Sequence, residues 1–438
     1  MHTFSRAMSY AFITPRPPVR ASYPPLLPVY PPPDSLLAKP KPPASRTFPN
    51  PRYAVSTHLV PAAYLRSTPP APPPPPAVGL NATKEERRAA NEARVEWVRA
   101  QARGSRGRYE RILWSSVNRY VRRDVGEGAG CTLLLAHANG FPKETWEPAL
   151  LDLLATGAVV DEIWAWEATH HGASFVLNAE AGTPLAACDW SDDARDVLNF
   201  LLHFLPSSIA GPEELPVHLH RVAPTESALR KVRGFSERTL FAAGHSFGGC
   251  CSAWAAITYP RLFSAIMLID PVMMRYDTPT VERPSLAGGA ISRRDSWPSR
   301  EAAHASFAAN PFFASWDPRV LAEYVAHGLV SDPNGGVRLA MPPLQEALAF
   351  EGTSTSGPVW DMLPTLDPRI SLRWVVPGRD NEGAIGPPGA TRERVWLRPT
   401  NSSNVRIKDA GHLIVQQAPR EIAREIATML NGVPPAKL

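Results

Sequence analysis

Thr239-Leu240-Phe241-Ala242-Ala243-Gly244-His245-Ser246-Phe247-Gly248-Gly249 is an apolar run that ends in Gly-x-Ser-x-Gly and passes into small, helix-forming residues. The run is short and unbroken, as expected of a strand covered on both faces, and the glycines mark a sharp turn into a helix. A serine on such a turn sits in a strained backbone with its hydroxyl exposed. Glycines two residues to either side let neighbouring backbone pass without a Cβ clash. Ser246 is therefore the candidate nucleophile.

Outward from this stretch the chain alternates strands and helices. Residues 131–136 form a second buried apolar run, followed by the loop His137-Ala138-Asn139-Gly140-Phe141-Pro142 and a helix over 143–155. Residues 159–166 read as the next strand, after which comes a polar loop. A helix then spans 194–205, with start signals from Asp189 to Ser191. The stretch 111–121 has the mixed character of an edge strand pair, and 206–236 reads as an irregular surface excursion. Beyond Ser246, strands are expected at 265–270, 371–376 and 404–407, and a closing helix at 418–430. This rhythm argues for an α/β fold with a mostly parallel sheet and helices on both faces. It breaks between 276 and 365, where helical patches (300–307, 318–327) and aromatic clusters stand without a clear strand. A helical cap over a pocket is expected there.

Composition divides the chain further. Of 49 prolines, 22 fall in residues 1–80, including Pro31-Pro32-Pro33 and the run from Pro72 to Pro76. Such a segment cannot be helix or central strand, and a disordered, locally polyproline II tail is expected. It carries eight Lys or Arg against one acid, Asp34, leaving 38 basic and 40 acidic residues in the remainder. The basicity therefore belongs to the tail, and the body offers no nucleic-acid patch. Residues 83–102, rich in Glu, Arg and Ala, predict a solvated helix that docks by a narrow stripe around Val95, Trp97 and Val98. The four cysteines, Cys131, Cys188, Cys250 and Cys251, lack any metal-ligand spacing and read as buried apolar thiols. No apolar run approaches the length of a membrane span.

A serine hydroxyl needs a base to take its proton, and the base needs a third group to orient it. Both belong at strand ends. His412 follows Gly411 directly after the last strand, and Asp380 follows the penultimate one at the turn Pro377-Gly378. Asp270, at the end of the strand after the nucleophile, and Glu382 are the alternative acids. Acyl transfer also needs donors for a developing oxyanion. The backbone N–H of Phe247, and that of Phe141 in the loop after the 131–136 strand, are the candidates.

Taken together, Gly244-His245-Ser246-Phe247-Gly248-Gly249, Asp380 and Gly411-His412 resemble the α/β-hydrolase superfamily across roughly 113–430. The order Ser246, Asp380, His412 is the one that superfamily follows. The stretch from His137 to Trp146 and the C-terminal Ala436-Lys437-Leu438 resemble fungal peroxisomal α/β hydrolases of the host-selective-toxin and peroxisomal lipase type. The resemblance implies a serine esterase, lipase or thioesterase without a cofactor or metal, acting on a small-molecule ester or thioester with an apolar acyl part. Composition and pattern together give an expected tail (1–80), a helical linker (81–110), a core in two parts (111–275 and 366–438) and the cap (276–365), and the tail has no counterpart expected in that group. A binding protein on the same fold would be expected to lack one of the three catalytic side chains. The final tripeptide is one residue from Ser-Lys-Leu and implies an import receptor as partner and a peroxisomal address. An acid-free, Arg-containing N-terminus makes the mitochondrion the competing expectation, with the cytoplasm as the remaining alternative.

Overall fold

The computed structural model describes residues 8–432, apart from 21, 24, 80–81, 105, 127–129, 183–184, 186, 278–284 and 380–384. Its strands are β1 (Tyr53–Pro61), β2 (Trp114–Arg122), β3 (Gly130–Ala136), β4 (Glu162–Trp166), β5 (Arg238–His245) and β6 (Ala265–Ile269). Three short strands follow, β7 (Ser296–Trp297), β8 (Leu329–Ser331) and β9 (Val337–Leu339), then β10 (Ser371–Pro377) and β11 (Ser402–Ile407). Eight of them form one sheet in the order β1-β2-β4-β3-β5-β6-β10-β11. Its pairs β1–β2 and β2–β4 are antiparallel, and the rest are parallel.

The central strands carry apolar residues on both faces because successive side chains feed two different cores. On one face Leu134, Leu240, Ala242, Ile266 and Leu268 pack with the helices Trp190–Asn199 and Phe247–Thr258. On the other, Leu133, Leu135, Phe241, Ala243 and Met267 pack with the helices Glu147–Ala155 and Pro419–Gly432. Helices thus cover both faces. No helix among the described residues is long and apolar enough to cross a membrane.

The expectation of a disordered tail over 1–80 is corrected within the described residues. Residues 53–61 form the edge strand β1, in register with β2 from Tyr53↔Arg122 to Pro61↔Trp114, so β2 is an interior strand. Upstream of β1, the proline-rich chain lies on the body. Proline removes N–H donors but keeps its carbonyl, and donors from the body use those carbonyls. Trp396 Nε1 donates to Ala11 O (3.1 Å) and Arg275 Nη1 to Pro17 O (2.9 Å). Arg195 donates to Leu27 O (3.1 Å) and Pro28 O (2.8 Å), and His218 Nε2 to Pro40 O (2.9 Å). Val29 enters one core and Phe48 the other.

Three further expectations change. The stretch 206–236 contains the helix Pro224–Arg233, anchored by the buried Arg230, which donates to Leu201 O and Leu205 O. The polar loop after β4 contains the helix Gly172–Glu180. The stretch 276–365 is not wholly helical, since β7, β9 and β8 form a small antiparallel sheet. Around it lie the helices Leu286–Ser292, Arg300–Ala308, Pro318–His327 and Pro343–Glu351. The helix Lys84–Ala102 is capped by Thr83, buries Val98, and packs against Leu286–Ser292 and Pro343–Glu351.

Candidate active site

Ser246 closes β5 with φ 56° and ψ −115°, off the allowed regions for an ordinary L-residue. The strain is held by packing around it. A Cβ at Gly244 would lie 2.5 Å from Gly248 O, and one at Gly248 would lie 2.5 Å from His137 O, so the turn tolerates only glycine there. Its N–H donates to Ile269 O (2.9 Å) and its carbonyl accepts from Val272 N–H (3.1 Å). Both contacts tie the serine to the end of the neighbouring strand β6.

Asp270 directly follows β6. Register His245↔Ile269 sets it beside Ser246, and it too has a positive φ, 34°, with its N–H bonded to Val375 O (2.9 Å). His412 follows β11. Its Nδ1 lies 2.7 Å from Asp270 Oδ2 and its Nε2 2.9 Å from Ser246 Oγ. A carboxylate only accepts, so Nδ1 carries the imidazole proton and Nε2 is left to accept from the serine hydroxyl. Asp270 is fully buried, Ser246 is 5 % exposed, and the His412 side chain is 24 % exposed, the most open of the three.

Of the predicted residues, Ser246 and His412 are brought together. Asp380, expected as the acid, and Glu382 lie outside the described residues. The carboxylate that the structure sets against His412 is instead that of Asp270. The physical reason is the register just given: a residue one step past β6 needs no loop to reach the histidine.

The loop after β3 turns at Gly140, φ 84°, whose N–H donates to His171 Nε2 at 2.9 Å. The N–H of Phe141 lies 3.4 Å from Ala138 O, a long contact, and its ring packs edge-on against Trp316 at 5.1 Å. Phe247 begins the helix Phe247–Thr258, so its N–H has no intrahelical acceptor. Its ring is ringed by His137, His170, His171, Trp166 and Trp190.

Several supporting side chains escaped the sequence reading. His245, kept neutral by burial that lowers it to about 3, donates from Nε2 to His412 O at 2.8 Å and so holds the histidine's backbone. Gln417 accepts from Gly411 N–H at 2.7 Å. Lys143 is buried between Glu144 (3.1 Å) and Glu167 (3.3 Å) and links the loops after β3 and β4. His137, lowered to about 3 by burial, accepts from Ala168 N–H at 3.1 Å and joins the same two loops. Arg394 donates to Asp270 Oδ1 at 3.0 Å. The local signals for these were the position of His245 inside Gly-x-Ser-x-Gly and those of His137, Lys143 and Glu144 inside the stretch His137 to Trp146.

Residues 133–425 match the model of the alpha/beta hydrolase family. The chain belongs to that family. It is 26% identical over 276 residues to the type I acyl-CoA thioesterase mpaH of Penicillium roqueforti, covering 61% of this chain but 48% of the relative. It therefore spans about half the length of that thioesterase. An abhydrolase domain-containing protein of Alternaria alternata, ACTT2-1, is 26% identical over 231 residues, 44% of this chain and 84% of that protein. Among solved structures, the peroxisomal alpha-beta-hydrolase Lpx1 of Saccharomyces cerevisiae superposes with a TM-score of 0.60 at 19% identity, covering 89% of this chain and 92% of Lpx1.

Proposed function

We propose that the protein is a serine hydrolase that cleaves an ester or thioester with an apolar acyl part through Ser246, His412 and Asp270. The observation that carries this reading is the pair of hydrogen bonds at His412, to Asp270 Oδ2 at 2.7 Å and to Ser246 Oγ at 2.9 Å. In the proposed reaction Nε2 takes the hydroxyl proton as Oγ attacks the acyl carbon. The N–H groups of Phe247 and Phe141 receive the developing oxyanion. His412 then returns the proton to the leaving alcohol or thiol, and water repeats the cycle on the acyl-enzyme. Asp270 keeps the imidazole in the useful tautomer and stabilises the imidazolium. For Phe141 to donate, its long contact with Ala138 O must be given up to the oxyanion.

The acyl-CoA thioesterase relatives favour a thioester over an oxyester. The aromatic cluster of Phe141, Phe307, Phe313, Trp316 and Tyr324 at the seam between core and cap favours an apolar acyl chain. The C-terminal Ala436-Lys437-Leu438, outside the described residues, and the likeness to Lpx1 support a peroxisomal address with an import receptor as partner. Removing the tripeptide is expected to leave a tagged protein in the cytosol.

A fluorophosphonate probe tests the reading, because it traps only a serine activated as a nucleophile. The wild type is expected to label and Ser246→Ala to stay blank. Failure of the folded wild type to label would remove the serine-hydrolase reading.

A further inference from the structure

We propose that Arg394 is a positioning residue for this site: its guanidinium holds the Asp270 carboxylate in one rotation and offsets part of its charge where that charge acts on His412. The inference rests on the serine-hydrolase reading above and deepens it.

The two oxygens of Asp270 have separate partners. Oδ2 takes His412 Nδ1 at 2.7 Å and Oδ1 takes Arg394 Nη2 at 3.0 Å. A carboxylate held at one oxygen only can turn about its last bond. Held at both, it presents a fixed lone pair to the imidazole. Arg394 is itself immobilised, since its side chain is fully buried and donates to Met273 O (3.1 Å) and to Thr391 Oγ1 (3.0 Å). It ends the helix Ala390–Arg394, and among the described residues its ion-pair partner is Asp270. Burial lowers the guanidinium from its ordinary value and the aspartate works against that, as expected of a pair whose members neutralise each other out of water.

The electrostatic consequence has a definite sign. A bare carboxylate at Nδ1 favours the imidazolium, and an imidazolium cannot take the serine proton. A cation on the far oxygen offsets part of the charge that acts on the ring. Among the described residues, the groups facing His412 are Asp270, Ser246 and the neutral His245, and those acting on Arg394 are Asp270 and Tyr10.

The second-order rate of inactivation by a fluorophosphonate, measured against pH, reads this base without knowledge of the substrate. In Arg394→Met the acid limb of that profile is expected to move to higher pH, with the plateau rate roughly tenfold lower. Arg394→Lys keeps the charge but not the forked donor, so its limb is expected near the wild-type position with a reduced plateau. Equal losses in both variants with an unmoved limb would make Arg394 a packing residue and overturn the proposal. If Arg394→Met does not fold, Arg394→Gln, which keeps a donor without the charge, takes its place: a limb moved to higher pH supports the proposal and an unmoved limb refutes it. Wild-type protein that folds but never labels would fail the underlying reading instead, so the two failures are distinct.

Discussion

The shelf formed by the ends of β5 and β6 and the proline-rich chain upstream of β1 are both ordered, but by different forces. On the shelf, apolar side chains fill both faces of the sheet, and the strained residues Ser246 and Asp270 are locked by backbone hydrogen bonds to neighbouring strands. The proline-rich chain has few N–H groups and sends only single side chains, Val29 and Phe48, into the cores. It is held by arginine, histidine and tryptophan side chains that reach across from the body to its carbonyls. One region is rigid because its own sequence is self-sufficient, the other because distant residues are built to receive it. The proposed chemistry sits on the first, and loss of the second should cost stability before it costs the reaction.

Changes on the shelf should therefore cost activity heavily whatever they do to stability, and changes at the proline-rich chain should cost stability while sparing activity. The largest effect is expected of Ser246→Ala, with turnover of any accepted ester falling at least about 10⁴-fold and thermal unfolding unchanged. Gly248→Ala drives a methyl group to 2.5 Å from His137 O. It is expected to lower activity by about 100-fold through displacement of the oxyanion donors, and a destabilisation of roughly 3 kcal/mol should show in denaturant titration. Arg195→Leu removes donors to Leu27, Pro28 and Leu65 and leaves Asp192 short of a partner. A loss of about 3 kcal/mol with kcat/KM within about threefold is expected, together with new protease cutting upstream of β1. Arg16→Ala breaks the pair with Glu393, in which the arginine is 59% exposed, and should cost no more than about 1 kcal/mol. Equal activity losses from Arg195→Leu and Gly248→Ala would erase the distinction between the two regions.

The same contrast explains what could be read from the sequence. β3, β5 and β6 announce themselves because a doubly covered strand is a continuous apolar run. Ser246 and His412 follow from those runs, one by its glycines and the other by its place after β11. The acid was harder: both Asp270 and Asp380 stand at strand ends, and choosing between them takes the register of β6 on β5, which no local pattern contains. The order upstream of β1 comes from hydrogen bonds across more than 160 residues, as between Arg195 and Leu27, while the local signal there is proline. β7, β8 and β9, of two or three residues, are too short for alternation to appear. Arg394 lies in a five-residue helix with no pattern of its own and gains meaning only from Asp270.

The central claim is that Asp270 orients the base, and paired asparagine variants test it most directly. Turnover and fluorophosphonate labelling would be measured for Asp270→Asn and Asp380→Asn beside the wild type. Asp270→Asn is expected to lose about 10³- to 10⁴-fold through the wrong histidine tautomer, while Asp380→Asn stays within about threefold of the wild type. A severe loss in Asp380→Asn with Asp270→Asn near normal would contradict the account.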